Sequence, residues 1–219
     1  ADRNYDKKVL RTKNRPIASG KISIMLGFFY ASLLCLLAFL VLIQFNKLTI
    51  FFALASMPLA FAYPYMKRLT YWPQLFLGIT FNYGLLLGWI SVQENLSLKP
   101  IIFYIGAIFW TLAFDTVYGF QDIKDDEIIG LKSTSIKFKS NPYLFLKICY
   151  SIFLVNLILI GILLKLNQIY FICLIIVAMQ IYFQIYKLDV NKSDICLKVF
   201  KSNNFLGLLV FISLLFGKI

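Results

Sequence analysis

Residues 100–127 read PIIFYIGAIFWTLAFDTVYGFQDIKDDE. The stretch opens on Pro100, runs apolar to Phe120 with Asp115 as its only charge, then breaks into Asp122, Lys124, Asp125, Asp126 and Glu127. A run of about 20 such residues is a transmembrane helix, because at ~1.5 Å per residue it matches ~30 Å of hydrocarbon. The acidic cluster that follows it then sits at the membrane edge. Working outward, the same alternation of long apolar runs and short charged connections covers the chain. Spans are predicted at 22–45, 48–66, 73–92, 100–120, 142–164, 168–187 and 203–217. The expected fold class is therefore an all-α integral membrane protein, a multi-helix transmembrane bundle. Pro73, Pro100 and Pro142 stand at span starts, where a missing N–H costs least. Pro58 and Pro64 predict a kink or an early end in the second span. The last span is expected to be short, and either tilted or only partly buried.

Composition agrees. The 219 residues are 60% hydrophobic and 17% aromatic, and the mean hydropathy is +0.79. No linker or soluble module interrupts the pattern, so residues 1–219 read as one transmembrane domain. The net charge is +12, yet nucleic acid is not the expected partner, because the basic residues lie in short loops between spans. Those loops alternate. Residues 1–21, 67–72, 121–141 and 187–202 hold seventeen Lys and Arg, whereas the intervening connections hold three: Lys47, Lys99 and Lys165. The positive-inside rule places the rich side in the cytoplasm. The four cysteines show no CxxC spacing, and there is no histidine, so a disulfide framework and imidazole chemistry are both excluded. No secretory signal is visible; Ala1 leads straight into a charged motif, which reads as an N-terminally truncated chain.

Ten carboxylates occur in the chain, and two clusters on the basic side hold six of them: Asp2 and Asp6, then Asp122, Asp125, Asp126 and Glu127. Each cluster contains an Asp-x-x-x-Asp pair. On a helix that spacing puts both carboxylates on one face, with Cβ atoms about 5–6 Å apart. Such pairs suit Mg²⁺, which takes one or two carboxylates and completes its shell with water and phosphate oxygens. Both pairs are expected near helix C-termini, where the macrodipole disfavours carboxylates and a bound cation would offset the penalty. The basic residues beside them, among them Arg11, Arg15, Lys67 and Lys132, suit an anionic substrate such as a diphosphate. Tyr63 and Lys67 are four residues apart at the membrane edge. Asp115 is an intramembrane carboxylate, a functional candidate by default. It precedes Asp122 by two helical turns and shares its face; the alternative is a structural hydrogen bond to a neighbour such as Asn82. Asn82, Trp89 and Gln74 are polar groups on the third span that are expected to line the same cavity.

At this point the residues resemble a known family. Asp2 and Asp6, Asp122 and Asp126, the Tyr63-Pro-Tyr-Met-Lys67 segment, residues 11–20 (RTKNRPIASG) and residues 130–134 (GLKST) are similar to the motifs of the UbiA superfamily of intramembrane aromatic prenyltransferases. The stretches at 63–68 and 73–84 look most like its 4-hydroxybenzoate polyprenyltransferases. The resemblance implies about nine helices, of which seven are visible, with one to two N-terminal helices and the leading half of the first acidic motif lying upstream. On that expectation the 219-residue form would be inactive, or nearly so, alone. The resemblance further implies Mg²⁺-dependent transfer of a polyprenyl group from polyprenyl diphosphate to the ring of 4-hydroxybenzoate, a step of ubiquinone biosynthesis. Asp2, Asp6, Asp122 and Asp126 would hold metal, Lys67 and Tyr63 would act on the diphosphate, and Arg68 would be available to the acceptor carboxylate. Arg11, Arg15, Lys132, Asn82 and Asp115 complete the expected substrate site. The implied setting is a bacterial inner membrane with the site facing the cytoplasm, or the mitochondrial inner membrane in a eukaryote. Membrane lipids surround it, and no obligate protein partner is inferred. Two rivals remain at this stage: a UbiA-type enzyme with another aromatic acceptor, and a non-enzymatic membrane transporter.

Overall fold

The computed structural model describes residues 3–7 and 12–218, all in helices and connecting loops. In chain order the helices are α1 (Arg3–Asp6), α2 (Ile24–Leu42), α3 (Lys47–Ala62), a 3₁₀ turn (Tyr63–Tyr65), α4 (Met66–Leu69), α5 (Pro73–Phe81), α6 (Tyr83–Gln93), α7 (Leu98–Gly119), α8 (Ile123–Ile129), α9 (Thr134–Lys137), α10 (Pro142–Leu163), α11 (Gln168–Lys187) and α12 (Ser193–Gly217). They supply seven candidate membrane spans: Ile24–Leu42, Lys47–Leu69, Pro73–Gln93, Leu98–Gly119, Pro142–Leu163, Gln168–Lys187 and Ser193–Gly217. All seven predicted spans are therefore present. Pro58 lies inside α3, and the α-helix gives way to a 3₁₀ turn at Tyr63–Tyr65 around Pro64, as proline chemistry requires.

Two expectations need correction. The last span is not short: α12 has 25 residues and begins ten positions before the predicted start. Its first turns carry Lys198, Lys201 and Asn203, which mask the apolar signal, although lysine stems can lie along an apolar surface with the ammonium outside. Asn203 itself is buried and accepts a hydrogen bond from the Trp110 indole at 2.9 Å. The third span is not continuous either. Asn82 breaks it into α5 and α6, and its side-chain amide donates to Gly78 O (2.8 Å), Ala107 O (3.2 Å) and Thr111 Oγ1 (2.8 Å). In hydrocarbon the backbone groups near a break need partners from within the protein, and Asn82 links the break directly to α7.

The core forms where α7, α10, α11 and α12 meet, around Leu112, Phe153, Tyr170, Val177 and Leu206. Trp110 stacks on Phe153 with centroids 5.3 Å apart and planes 12° from parallel. The buried Tyr170 hydroxyl donates to Leu157 O at 2.7 Å. Exposed leucine, isoleucine and phenylalanine cover the outer faces, and α2 has no buried residue. In a bilayer such faces meet lipid.

Asparagines clasp the end poor in basic residues. Asn46 caps α3 through Thr49 N–H (2.9 Å) and donates to Ile90 O (3.1 Å). Asn167 caps α11 and donates to Phe216 O (2.9 Å). At the opposite end, Lys132 N–H donates to Lys67 O (2.8 Å) and the Tyr143 hydroxyl to Leu188 O (3.1 Å). Segments near 67, 132, 143 and 188 thus share one end of the bundle, matching the charge alternation in the loops.

Candidate functional site

The end of α7 is where the site is built. Gly119 has no room for a Cβ: one placed there would collide with Ser135 Oγ and approach Gln74 Nε2 at 3.4 Å. The glycine lets α9 dock against α7, and a buried polar network fastens the contact. Ser135 Oγ donates to Thr116 O (2.8 Å), and the Thr116 and Thr134 hydroxyls lie 2.6 Å apart. Thr134 N–H donates to Gln74 Oε1 (3.0 Å), which adds α5 to the junction. Buried polar groups rigidify a structure when they are satisfied together.

Between the two docked ends, α8 makes a short excursion. Asp122 occupies its N-cap position and Asp126 lies in its first turn. The second acidic pair therefore sits at a helix N-terminus, correcting the expected C-terminal placement. The chain turns at Phe120–Gln121, just past the predicted end of the span at 120, and starts a new helix whose dipole tolerates carboxylates. Gly130 ends α8 at φ +78°, a left-handed conformation suited to glycine. The chain then reaches Lys132, whose N–H bonds to Lys67 O.

The result is a cleft of about 280 Å³ lined by Arg15, Tyr63, Pro64, Lys67, Gln74, Asp115, Tyr118, Gly119, Asp122 and Asp126. Asp126 is buried, whereas Asp115 and Asp122 are half-buried. Lys67 lies within electrostatic reach of Asp115. The two remaining acids of the cluster do not line the cleft. Glu127 pairs with Lys139 at 2.6 Å, and Asp125 is not among the lining residues. Of the four acids, the cleft thus takes the two at i and i+4. Among the described lining residues, three carboxylates face two cationic side chains, so the cleft is acidic overall.

The other expected residues fall into three groups. Asp2 and Arg11 lie outside the described residues. Asp6 pairs with Arg15, whose Nη1 donates to both carboxylate oxygens at 3.0 and 3.2 Å. Asp6 lines an adjoining hollow with Arg3 and Tyr30, and Arg15 borders both spaces. Arg68, Lys132, Asn82 and Trp89 are not among the residues lining the cleft. The Arg68 guanidinium lies over the Tyr65 ring, 5.4 Å from its centroid. Lys132 Nζ donates to Leu69 O at 3.3 Å and lies over Tyr71. Asn82 is spent on the break in the third span. Among the described residues, no group of three or more acidic, cysteine or histidine side chains gathers for a metal.

Sequence reasoning missed Tyr118 and Gly119. Helical spacing could have found Tyr118, which lies three residues after Asp115 on α7 and so shares its face.

Comparison with known proteins adds four findings. The UbiA prenyltransferase family model matches residues 1–215. Over 219 residues the chain is 41% identical to "4-hydroxybenzoate polyprenyltransferase, mitochondrial" of Bos taurus, covering 100% of this chain and 59% of that protein. It is 38% identical over 221 residues to 4-hydroxybenzoate geranyltransferase 1 of Lithospermum erythrorhizon, covering 100% of this chain and 71% of that protein. The chain thus spans about three-fifths of the length of the mammalian relatives it matches. The apo structure of a UbiA homolog from Aeropyrum pernix K1 superposes with a TM-score of 0.86 at 20% identity, covering 100% of this chain and 82% of that one; this is a likeness of fold.

Proposed function

The chain belongs to the UbiA prenyltransferase family, and from that premise we propose that it transfers a polyprenyl group from polyprenyl diphosphate to the ring of 4-hydroxybenzoate, with Mg²⁺, in ubiquinone biosynthesis. One observation carries the reading. Tyr63 and Lys67, Asp115, and Asp122 with Asp126 come from three separate segments, and they line one cleft at the basic end of a membrane bundle.

The donor set fits Mg²⁺. Asp122 and Asp126 offer hard carboxylate oxygens one helical turn apart, and two carboxylates leave the remaining positions to water and phosphate. Charge points the same way. A cleft with more carboxylates than cations repels a diphosphate unless a divalent ion enters with it. When bound, the ion supplies Lewis-acid neutralisation of the diphosphate oxygens. Asp2 and Asp6 are proposed to complete the metal-binding set from the first acidic motif.

The chain's own residues account for the rest. Lys67 and Arg15 border the cleft and neutralise charge that builds on the leaving diphosphate, whose oxygen takes the electron pair as the allylic C–O bond breaks. Charge stabilisation of this kind is commonly the largest catalytic contribution. Tyr63 and Tyr118 wall the cleft with aromatic faces that favour a nearby carbocation. The ring carbon ortho to the acceptor hydroxyl forms the new C–C bond with its π electrons and then passes its proton to the released diphosphate or to water. The prenyl tail lies along the apolar exterior. The basic loops at this end support a cytoplasmic orientation in a bacterial inner membrane, or the equivalent face of a mitochondrial one.

The test is radiolabelled 4-hydroxybenzoate incubated with polyprenyl diphosphates of several lengths and membranes carrying the protein at its natural length. Mg²⁺-dependent, organic-extractable product supports the reading. Product with a different aromatic acceptor alone would redirect it within the family, and no product with any acceptor would count against it.

A further inference from the structure

On the α11–α12 face a second space of about 410 Å³ is lined by Gln180, Phe183, Gln184, Lys187, Ile195, Lys198, Val199 and Ser202. Its lining follows helical spacing on both sides. Gln180, Gln184 and Lys187 stand at i, i+4 and i+7 of α11, and Ile195, Lys198, Val199 and Ser202 at i, i+3, i+4 and i+7 of α12. The pocket opens near the loop at 188–192, the end of the bundle that carries the basic loops.

Its polar groups are specific. Ser202 Oγ donates its one proton to Val199 O at 2.7 Å. It must therefore accept from Gln184, whose Nε2 lies 2.8 Å away. That fixes the orientation of the Gln184 amide and leaves Oε1 as the acceptor still to be satisfied. Gln184 is 4% exposed, and Oε1 is buried with no hydrogen-bond partner. An unmade hydrogen bond at a buried acceptor is costly, more so at the edge of hydrocarbon. Two cations frame the site. Lys192 is paired with Asp189 at 3.2 Å, whereas Lys187 and Lys198 have no ion-pair partner within 4 Å among the described residues. Asp194, one turn before Lys198, does not line the space.

We propose that this pocket binds the headgroup of an anionic phospholipid bearing a headgroup hydroxyl, of the phosphatidylglycerol type. Lys187 and Lys198 hold the phosphodiester. The hydroxyl donates to Gln184 Oε1. Phe183, Ile195 and Val199 pack the first methylenes of an acyl chain. Basic pockets between transmembrane helices at the cytoplasmic or matrix side bind anionic headgroups by this chemistry. The site is separate from the acidic cleft and does not depend on the proposed reaction.

The experiment is lipid binding by native mass spectrometry, with the purified chain in mild detergent. The probes are phosphatidylglycerol, phosphatidylethanol (the same charge without the hydroxyl), phosphatidylcholine, inorganic phosphate and inorganic diphosphate. The expected result is retention of phosphatidylglycerol over phosphatidylcholine, undisturbed by the inorganic anions. Lys187→Ala/Lys198→Ala should weaken that retention on the order of tenfold or more, and Lys187→Arg/Lys198→Arg should restore it. Preference for phosphatidylglycerol over phosphatidylethanol should vanish in Gln184→Leu, a variant that keeps both lysines. Thermal melts in phosphatidylcholine check that each variant is folded. Equal retention of phosphatidylcholine, an unaffected double-alanine variant, or no preference over phosphatidylethanol in the unmodified chain would overturn the proposal. Displacement of lipid by inorganic diphosphate would overturn it too, as a free-anion site.

Discussion

The backbone N–H of Lys132 donates to the carbonyl of Lys67 at 2.8 Å. This bond fastens the loop that follows the second acidic pair to the Tyr63–Lys67 segment, 65 positions earlier in the chain. Asp122, Asp126 and Lys67 line one cleft, and this main-chain bond joins the segments that carry them. Side-chain substitutions can change the chemistry of that cleft while leaving this clamp in place.

Asp122→Asn and Asp126→Asn should each lower prenyl transfer on the order of 10²-fold, the scale of losing one electrostatic stabiliser. Melting temperature should change little, because grouped carboxylates repel when no cation is bound. Steady-state turnover at saturating substrate, with a thermal melt of each variant, checks both halves. Chelation of Mg²⁺ with EDTA should reproduce the loss in the unmodified protein.

Lys67→Met should lower turnover by a similar factor, and Lys67→Arg should retain most of it. The ammonium lies within reach of Asp115 and borders the space proposed for the diphosphate. If Lys67→Met and the unmodified protein give equal turnover, Lys67 serves the fold alone.

Gly119→Ala should destabilise the protein by about 1–3 kcal/mol, the usual range for overpacking, and should reduce activity with it. The new methyl would collide with Ser135 Oγ and push α9 away from α7. Gly119→Ala/Ser135→Gly removes the obstructing atom and should recover part of the melting temperature. A double variant no better than Gly119→Ala would place the strain elsewhere.

Trp110→Phe keeps a ring against Phe153 but removes the donor to the buried Asn203. The expected cost is about 0.5–2 kcal/mol, in line with interhelical hydrogen bonds in membranes. Asn203→Leu in the Trp110→Phe background should cost less than Asn203→Leu alone, and a double-mutant cycle reads the difference.

Much of this molecule is legible in its sequence, for physical reasons. A membrane helix must carry a long apolar run, so Leu98–Gly119 and Pro142–Leu163 announce themselves. Asp122, Asp126, Lys67 and Asp115 stand out because charge is rare here and costly near lipid, and Tyr63 stands out by its spacing from Lys67. What escaped notice depends on tertiary partners. The break at Asn82 is stabilised by Ala107 and Thr111, residues 25 and 29 positions away. The early start of α12 hides behind lysines whose ammonium groups reach out of the apolar layer. The docking of α9 on α7, which brackets the turn before Asp122, rests on Thr134 and Ser135, small polar residues whose role appears only once they meet Thr116 and Gly119. Arg68, expected at the acceptor carboxylate beside Lys67, and Lys132, expected from the 130–134 motif, lie outside the cleft lining, against Tyr65, and against Tyr71 and Leu69 O.

The central claim is that the cleft binds a prenyl diphosphate through Asp122, Asp126 and a divalent cation. Its most direct test is equilibrium binding of an unreactive thiolodiphosphate analogue to the purified protein, with and without Mg²⁺, in the unmodified chain and in Asp122→Asn/Asp126→Asn. Binding that requires Mg²⁺ and is lost in the double variant is the predicted result. Binding of equal strength in the double variant, or without the metal, would contradict it.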